Sequence, residues 1–115
     1  MPDNCVFCRI VAGELPAKII YQDDQVVAFR DTNPQAPVHI LVIPREHIAG
    51  PLDFTDGLAG LAGQLIVAAG HVARQEGIAG DGYRLVLNQG RQGGQSVFHV
   101  HLHVLGGRRM TWPPG

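Results

Sequence analysis

The sequence lacks most of what would place it at a membrane, on a nucleic-acid polymer or outside the cell. No apolar run approaches the roughly 20 residues needed to cross a bilayer. Nine Lys and Arg against ten Asp and Glu leave a formal charge of −1. That balance excludes the electrostatic footprint of a nucleic-acid binder or an anionic-membrane binder, while a small anion can still be held by local groups. Met1-Pro2-Asp3-Asn4 has neither the basic nor the apolar stretch of a secretory leader, so a cytoplasmic protein is expected. In that compartment the only two cysteines, Cys5 and Cys8, are not expected to form a structural disulfide. Repeats, low-complexity tracts and long linkers are also missing. The 115 residues therefore suit a single domain, residues 1–115, with one sizeable core.

What the chain does have is glycine, 15 residues in all, and a run of clear local patterns. Arg9-Ile10-Val11-Ala12 predicts a short helix ended by Gly13. Lys18-Ile19-Ile20-Tyr21 and Val26-Val27-Ala28-Phe29 flank the turn Gln22-Asp23-Asp24-Gln25 as a hairpin. Val38-His39-Ile40-Leu41-Val42-Ile43 is apolar on both faces except at His39, which predicts a central buried strand ending at Pro44. Thr55 is placed to cap a helix running to about Glu76, with Gly77 as its stop. Leu58, Leu61, Leu65, Ala69 and Val72 form the apolar stripe of that helix. Gly57, Gly60, Gly63 and Gly70 cost helix propensity, about 1 kcal/mol each against alanine, so tertiary or subunit packing is expected to hold it. Tyr83-Arg84-Leu85-Val86-Leu87 reads as a further strand. Five short strands with one long and one short helix indicate an α+β fold built on a five-stranded antiparallel sheet.

The densest chemistry lies in His99-Val100-His101-Leu102-His103-Val104-Leu105. A strand's period of two sets the three imidazoles on one face and Val100, Leu102 and Val104 on the buried opposite face. The outer imidazoles would lie about 13 Å apart at strand rise, too far for one metal to take all three, although neighbours can share one. Incidental histidines on a polar strand face are the plainer reading, but strict alternation beside a glycine-rich loop argues for chemistry. That loop, Asn88 to Ser96, contains Gly90, Gly93 and Gly94, where backbone N–H groups can approach an anion closely. Asn88 and Ser96 add side-chain donors at its edges. Alone it reads as a mobile connection; beside three aligned imidazoles it points to phosphate binding. It is not a Walker loop, because no Gly-Lys-Ser/Thr follows and no helix begins there. Cys5-Val6-Phe7-Cys8 leaves three readings open: a redox pair, half a zinc site, or two buried thiols. The first lacks the preceding strand expected of a thioredoxin-like context.

His99-Val100-His101-Leu102-His103-Val104-Leu105 resembles the histidine triad (HIT) family, whose signature is His-φ-His-φ-His-φ-φ with φ apolar, and the longer segment from Gly93 to Gly107 resembles its nucleotide-binding branch. Met110-Thr111-Trp112-Pro113-Pro114-Gly115, Leu15-Pro16-Ala17-Lys18-Ile19-Ile20, Asp31 and Pro34-Gln35-Ala36-Pro37-Val38-His39 resemble its histidine-triad nucleotide-binding (HINT) branch. The resemblance covers nearly the whole chain and is weakest between Ala49 and Ala79. It implies a HIT-like fold and a purine nucleoside phosphoramidase or nucleotidyl hydrolase that works through a nucleotidyl-histidine.

Carried over residue by residue, the resemblance makes His101 the nucleophile and His103 the donor to the phosphoryl oxygens. Ser96 then faces the leaving amine, and His39 supports the array. Asn88, Gly94 and Val97 complete the phosphate cradle, and Asp31 accepts from the ribose hydroxyls. Phe7, Ile10, Phe29 and Thr32 form the base pocket. Many bacterial members carry structural zinc on a comparable cysteine pair and two histidines, which implies Cys5, Cys8, His47 and His99 as ligands. Animal members of the HINT branch typically lack both cysteines. The chemistry itself needs no metal. The resemblance further implies a homodimer, with Trp112 reaching the partner's substrate site, and a purine ribonucleotide derivative as ligand. The rival readings are a nucleotide-binding scaffold with incidental turnover, a dinucleoside polyphosphate hydrolase, and an enzyme using the triad as zinc ligands.

Overall fold

In a computed structural model, which describes residues 4–115, a five-stranded antiparallel sheet carries one helix on each face. Met1, Pro2 and Asp3, read above for a missing leader, lie outside the described residues. The elements run α1 (Val6–Val11), β1 (Ile19–Gln22), β2 (Val26–Arg30), β3 (Val38–Pro44), α2 (Ala59–Gln75), β4 (Tyr83–Leu87) and β5 (Leu102–Gly106). Spatial order is β1-β2-β3-β5-β4, which puts β3 at the centre, as its apolar run predicts. Among the described residues, no helix is long and apolar enough to cross a membrane.

Alternation along the strands divides the core in two. Val26, Ala28, Ile40, Val42, Leu102 and Val104 face α2, where Leu61, Leu65, Ala68, Ala69, Val72 and Ala73 pack against them. Val27, Phe29, Leu41 and Ile43 face the other way and meet Phe7, Cys8 and Ile10 of α1. The second layer is thinner, and the histidines emerge beside it.

Three boundaries differ from expectation, each for a local reason. α1 begins three residues earlier than Arg9, because Cys5 caps it: its sulfur accepts the Cys8 N–H at 3.4 Å. Gly13 follows with φ of 79°, the left-handed turn foreseen. Thr55 opens a separate 3-10 turn at Asp56–Leu58 instead of capping α2. Leu58, with φ −105° and ψ 8°, breaks the path before α2 starts at Ala59. Gly77 does end α2, at φ 75°.

The third difference touches the site. β5 begins at Leu102, so His99, Val100 and His101 precede the regular strand. In the β3–β5 register Leu41 faces His103 and Val42 faces Leu102. Extending that register would oppose Val100 to Pro44, which has no N–H for the ladder. The Val100 N–H bonds the carbonyl of Ile48 instead, at 2.7 Å. The two-sided facing survives this detour: Val100 is fully buried with the α2 layer, while Phe7 of the α1 layer lies edge-on to both His99 and His101.

Candidate functional site

His101 sits where β5 is about to begin, with its ring packed edge-on to Phe7 at 5.2 Å and to His103 at 5.0 Å. Its Nδ1 lies 2.8 Å from the carbonyl oxygen of His99. A carbonyl can only accept, so Nδ1 carries a proton, and in the neutral ring Nε2 then keeps the lone pair. Beside it opens a cavity of about 410 Å³. His101, His103, Ser96 and Val97 line it together with Phe7, Ile10, Phe29, Asp31, Thr32 and apolar neighbours from α1 and the segment after it. Phe7 and Phe29 meet edge to face at 5.5 Å, which gives the cavity an aromatic corner. Asn88, Gly94 and Trp112, also expected at the substrate, do not line this cavity. Gly94 has φ of 83° and turns the loop just ahead of Ser96. Trp112 is 81% exposed on a tail held to β4 by the Arg84 guanidinium, which donates to the Thr111 carbonyl at 2.9 Å.

His39, on β3, reaches His103 across the sheet: Nε2 of His39 lies 2.9 Å from Nδ1 of His103. The backbone N–H of Gln35 donates to Nδ1 of His39 at 3.0 Å. Nδ1 is therefore the acceptor and Nε2–H the donor in neutral His39. That hydrogen bond in turn makes Nδ1 of His103 an acceptor, so His103 carries its proton on Nε2. Asp31 Oδ2 stands 3.3 Å from the same His39 Nε2, while its Oδ1 accepts the Asn33 N–H at 2.8 Å. Asp31, His39 and His103 have ligand atoms mutually within 4.8 Å. The Gln35 N–H nonetheless leaves Nε2 of His39 protonated, so the trio is a hydrogen-bond chain and not a metal site. The sequence carries no sign of the Gln35 contact, because a backbone group makes it.

Burial acts on this chain. It is the main reason the pKa of His103 falls from 6.5 to about 4, with His101 and His39 adding repulsion and Asp31 opposing. His39 is lowered by burial as well, against the pull of Asp31. Because the folded-state pKa lies below the unfolded value, unfolding takes up a proton between these limits. The stability that neutral His103 represents is full above pH 6.5 and is lost as pH falls toward 4. The shift corresponds to about 3 kcal/mol at most. A His103→Asn variant should therefore lose less stability than the parent between pH 7 and pH 5 in chemical denaturation; equal slopes would refute the assignment.

On the far side of Phe7, Cys5, Cys8, His47 and His99 form a second cluster, their ligand atoms all within 4.8 Å of one another. Nδ1 of His99 lies 3.4 Å from the Cys5 sulfur and 3.6 Å from that of Cys8, and Nδ1 of His47 lies 3.3 Å from the Cys8 sulfur. Bond lengths of about 2.3 Å to sulfur and 2.0–2.1 Å to nitrogen in a tetrahedron give edges of about 3.5 Å. These distances match such edges. His99, completely buried, points Nε2 at the Pro44 carbonyl at 2.8 Å, so its Nδ1 lone pair faces the sulfurs. Burial, and then the neighbouring Cys5, push the Cys8 thiol up to about 11, so a cation is needed to hold the Cys8 sulfur as a thiolate. The donor set fits zinc, and all four ligands anticipated from the sequence meet here.

The sequence matches the HIT domain family over residues 12–110. An uncharacterized HIT-like protein of Synechococcus elongatus is 50% identical over the full length of both chains. A 14 kDa zinc-binding protein of maize (Zea mays) is 48% identical over 120 residues, covering 96% of this chain and 87% of its own. The crystal structure of a HIT family hydrolase from Legionella pneumophila superposes with a TM-score of 0.95 at 50% identity, covering 97% of this chain and all of the other. With its sheet, its triad and its cysteine–histidine cluster in the arrangement described, the chain belongs to the HIT domain family.

Proposed function

We propose that this protein is a hydrolase of purine nucleoside phosphoramidates and related nucleoside monophosphate derivatives, of the HINT branch. In this reading residues 1–115 act as one histidine triad domain, as a cytoplasmic homodimer. The observation that carries the proposal is the His99 carbonyl at 2.8 Å from His101 Nδ1, beside the cavity, which in the neutral ring puts the lone pair on Nε2. An imidazole so held is a nucleophile near neutral pH. Nε2 attacks the α-phosphorus, the P–N bond breaks and the amine departs with a proton supplied through Ser96. Water then cleaves the nucleotidyl-histidine, returning the nucleoside monophosphate and free His101.

His103 Nε2–H donates to a non-bridging oxygen, where charge must be stabilised in the transition state. Its tautomer follows from Gln35 and His39, whose role is to position it. Val97, at the cavity wall, contributes to the phosphate cradle, and the family resemblance assigns Asn88 and Gly94, which do not line the cavity of the single chain, to the same cradle. The base lies among Phe7, Ile10, Phe29 and Thr32, and Asp31 accepts from the ribose. Trp112, exposed in a single chain, closes the site of a second copy. Zinc on Cys5, Cys8, His47 and His99 cross-links α1 to the segments around His47 and His99 and takes no part in bond breaking.

The test is to mix the protein with adenosine 5′-phosphoramidate, quench within the first turnovers and map modified peptides by mass spectrometry. An adenylyl group on His101, with faster turnover of the phosphoramidate than of a diadenosine polyphosphate, is expected. No modified histidine together with preferential cleavage of the polyphosphate would overturn the substrate assignment.

A further inference from the structure

Gln95 sits between Gly94 and Ser96, yet its side chain turns away from the cavity and is only 6% exposed. Every polar atom of its carboxamide is used. Oε1 accepts the Gly90 N–H at 2.8 Å, while Nε2 donates to the carbonyls of Ala49 at 2.6 Å and Val97 at 3.1 Å. Its backbone N–H donates to the Gly90 carbonyl at 3.0 Å, so both polar groups of Gly90 are bound to one residue. Gly90 lies near the start of the glycine-rich loop and Val97 directly follows its end. Ala49 belongs to a different segment, two residues after His47.

That segment is the floor on which the loop rests. The Leu52 N–H donates to Gln89 Oε1 at 2.8 Å. A Cβ at Gly50 would lie 2.6 Å from that oxygen and 3.2 Å from Gln95 Oε1, so a side chain there would make the Gln89 carboxamide shift. Gly93 is equally tight, since a Cβ there would lie 2.5 Å from the Gln89 carbonyl oxygen. The loop is thus joined to this segment through the Gln89 and Gln95 carboxamides, and the buried one, Gln95, also ties Gly90 to Val97.

We infer that Gln95 is the positioning residue of the phosphate loop: it fixes Ser96 and Val97 for phosphoryl transfer without touching substrate. This rests on the phosphoramidase reading above. The physical reason is a division of labour. α1 and β2 build the base pocket and make no bond to Gln95, so loosening the clamp should disturb the phosphoryl end alone. A buried carboxamide with three backbone partners is also costly to replace, because each orphaned group stays desolvated.

The experiment compares Gln95→Glu, which retains an acceptor but loses both donors, with Gln95→Met, which loses all three bonds at similar length. Each is assayed for kcat and KM on adenosine 5′-phosphoramidate and for affinity toward AMP and adenosine. The expected result is a fall in kcat of about 30-fold, weaker AMP binding, adenosine binding within about twofold of the parent, and an unchanged zinc content. Adenosine affinity doubles as the control for folding. A kcat within twofold of the parent, or equal losses for AMP and adenosine, would overturn the inference. Amide exchange on the unmodified protein gives a test that needs no variant: the Gly90 N–H should be protected while the exposed Arg91 exchanges freely, and fast exchange at Gly90 would also overturn it. A parent protein that neither turns over phosphoramidate nor prefers AMP to adenosine would overturn the underlying reading instead.

Discussion

His101→Ala is expected to lower turnover of adenosine 5′-phosphoramidate by about 10⁴-fold or more while leaving AMP affinity within a few-fold of the parent. The nucleophile makes its bond only in the reaction, so removing it should fall on kcat and not on ground-state binding. The ring is 5% exposed and touches Phe7 and His103, so truncation leaves a small cavity. Its partner, the His99 carbonyl, is a neutral group that water in the emptied site can satisfy. The variant should therefore fold, bind zinc and hold nucleotide. His101→Gly with added imidazole offers a complementary check, because a small nucleophile can enter the space the side chain vacates. Turnover near the parent's level in His101→Ala would sink the covalent mechanism, whatever the substrate proves to be.

Removal of zinc should have the second-largest effect, and it should appear first in stability. The four ligands come from α1 and its cap, from the segment after β3, and from the approach to β5, which are far apart in sequence. No disulfide joins them, since Cys5 and Cys8 are free. Their mutual cross-link is the metal, and binding to the folded state alone stabilises that state. Exhaustive chelation, or Cys8→Ala, should lower the melting temperature by more than about 10 °C. Turnover at low temperature should decline with the folded fraction and not vanish on addition of chelator. Immediate loss of activity in a protein that remains folded would instead make zinc part of the reaction. A melting temperature indifferent to chelation, with no zinc in metal analysis, would remove the metal from the description.

Much of this was legible in the sequence because it follows from local pattern. β3 announced itself as central through six residues with a single polar member, His39, and the structure places it between β2 and β5. The alternation of His99 to Leu105 correctly assigned faces, since facing depends on period alone. It misplaced the start of β5, since ladder bonding depends on the partner strand, and the partner residue there is Pro44. Thr55 misled for a similar reason: a good cap defines a turn, and only the residues after it decide whether that turn continues into α2. At the site, the cysteine pair stood out by its spacing and the three histidines by their alternation, whereas His47 and the zinc role of His99 came only through the family resemblance. The groups that set their protons were not legible. The carbonyls of His99 and Pro44 and the N–H of Gln35 are backbone atoms with no compositional signature. Gln95 had a faint signal, a long polar residue within a loop otherwise rich in glycine, but its inward direction required the fold.

Phe7 on α1 stands between Cys5 and Cys8 in the sequence, edge-on to both His99 and His101, and lines the cavity proposed to take the base. Attempts to redesign base preference would naturally vary this position. Any library built there would be screened for metal retention and nucleophile alignment at the same time as for nucleobase choice, so apparent specificity variants must be ranked at equal zinc content. Varying Thr32, which lines the same cavity from beyond the end of β2, separates these demands.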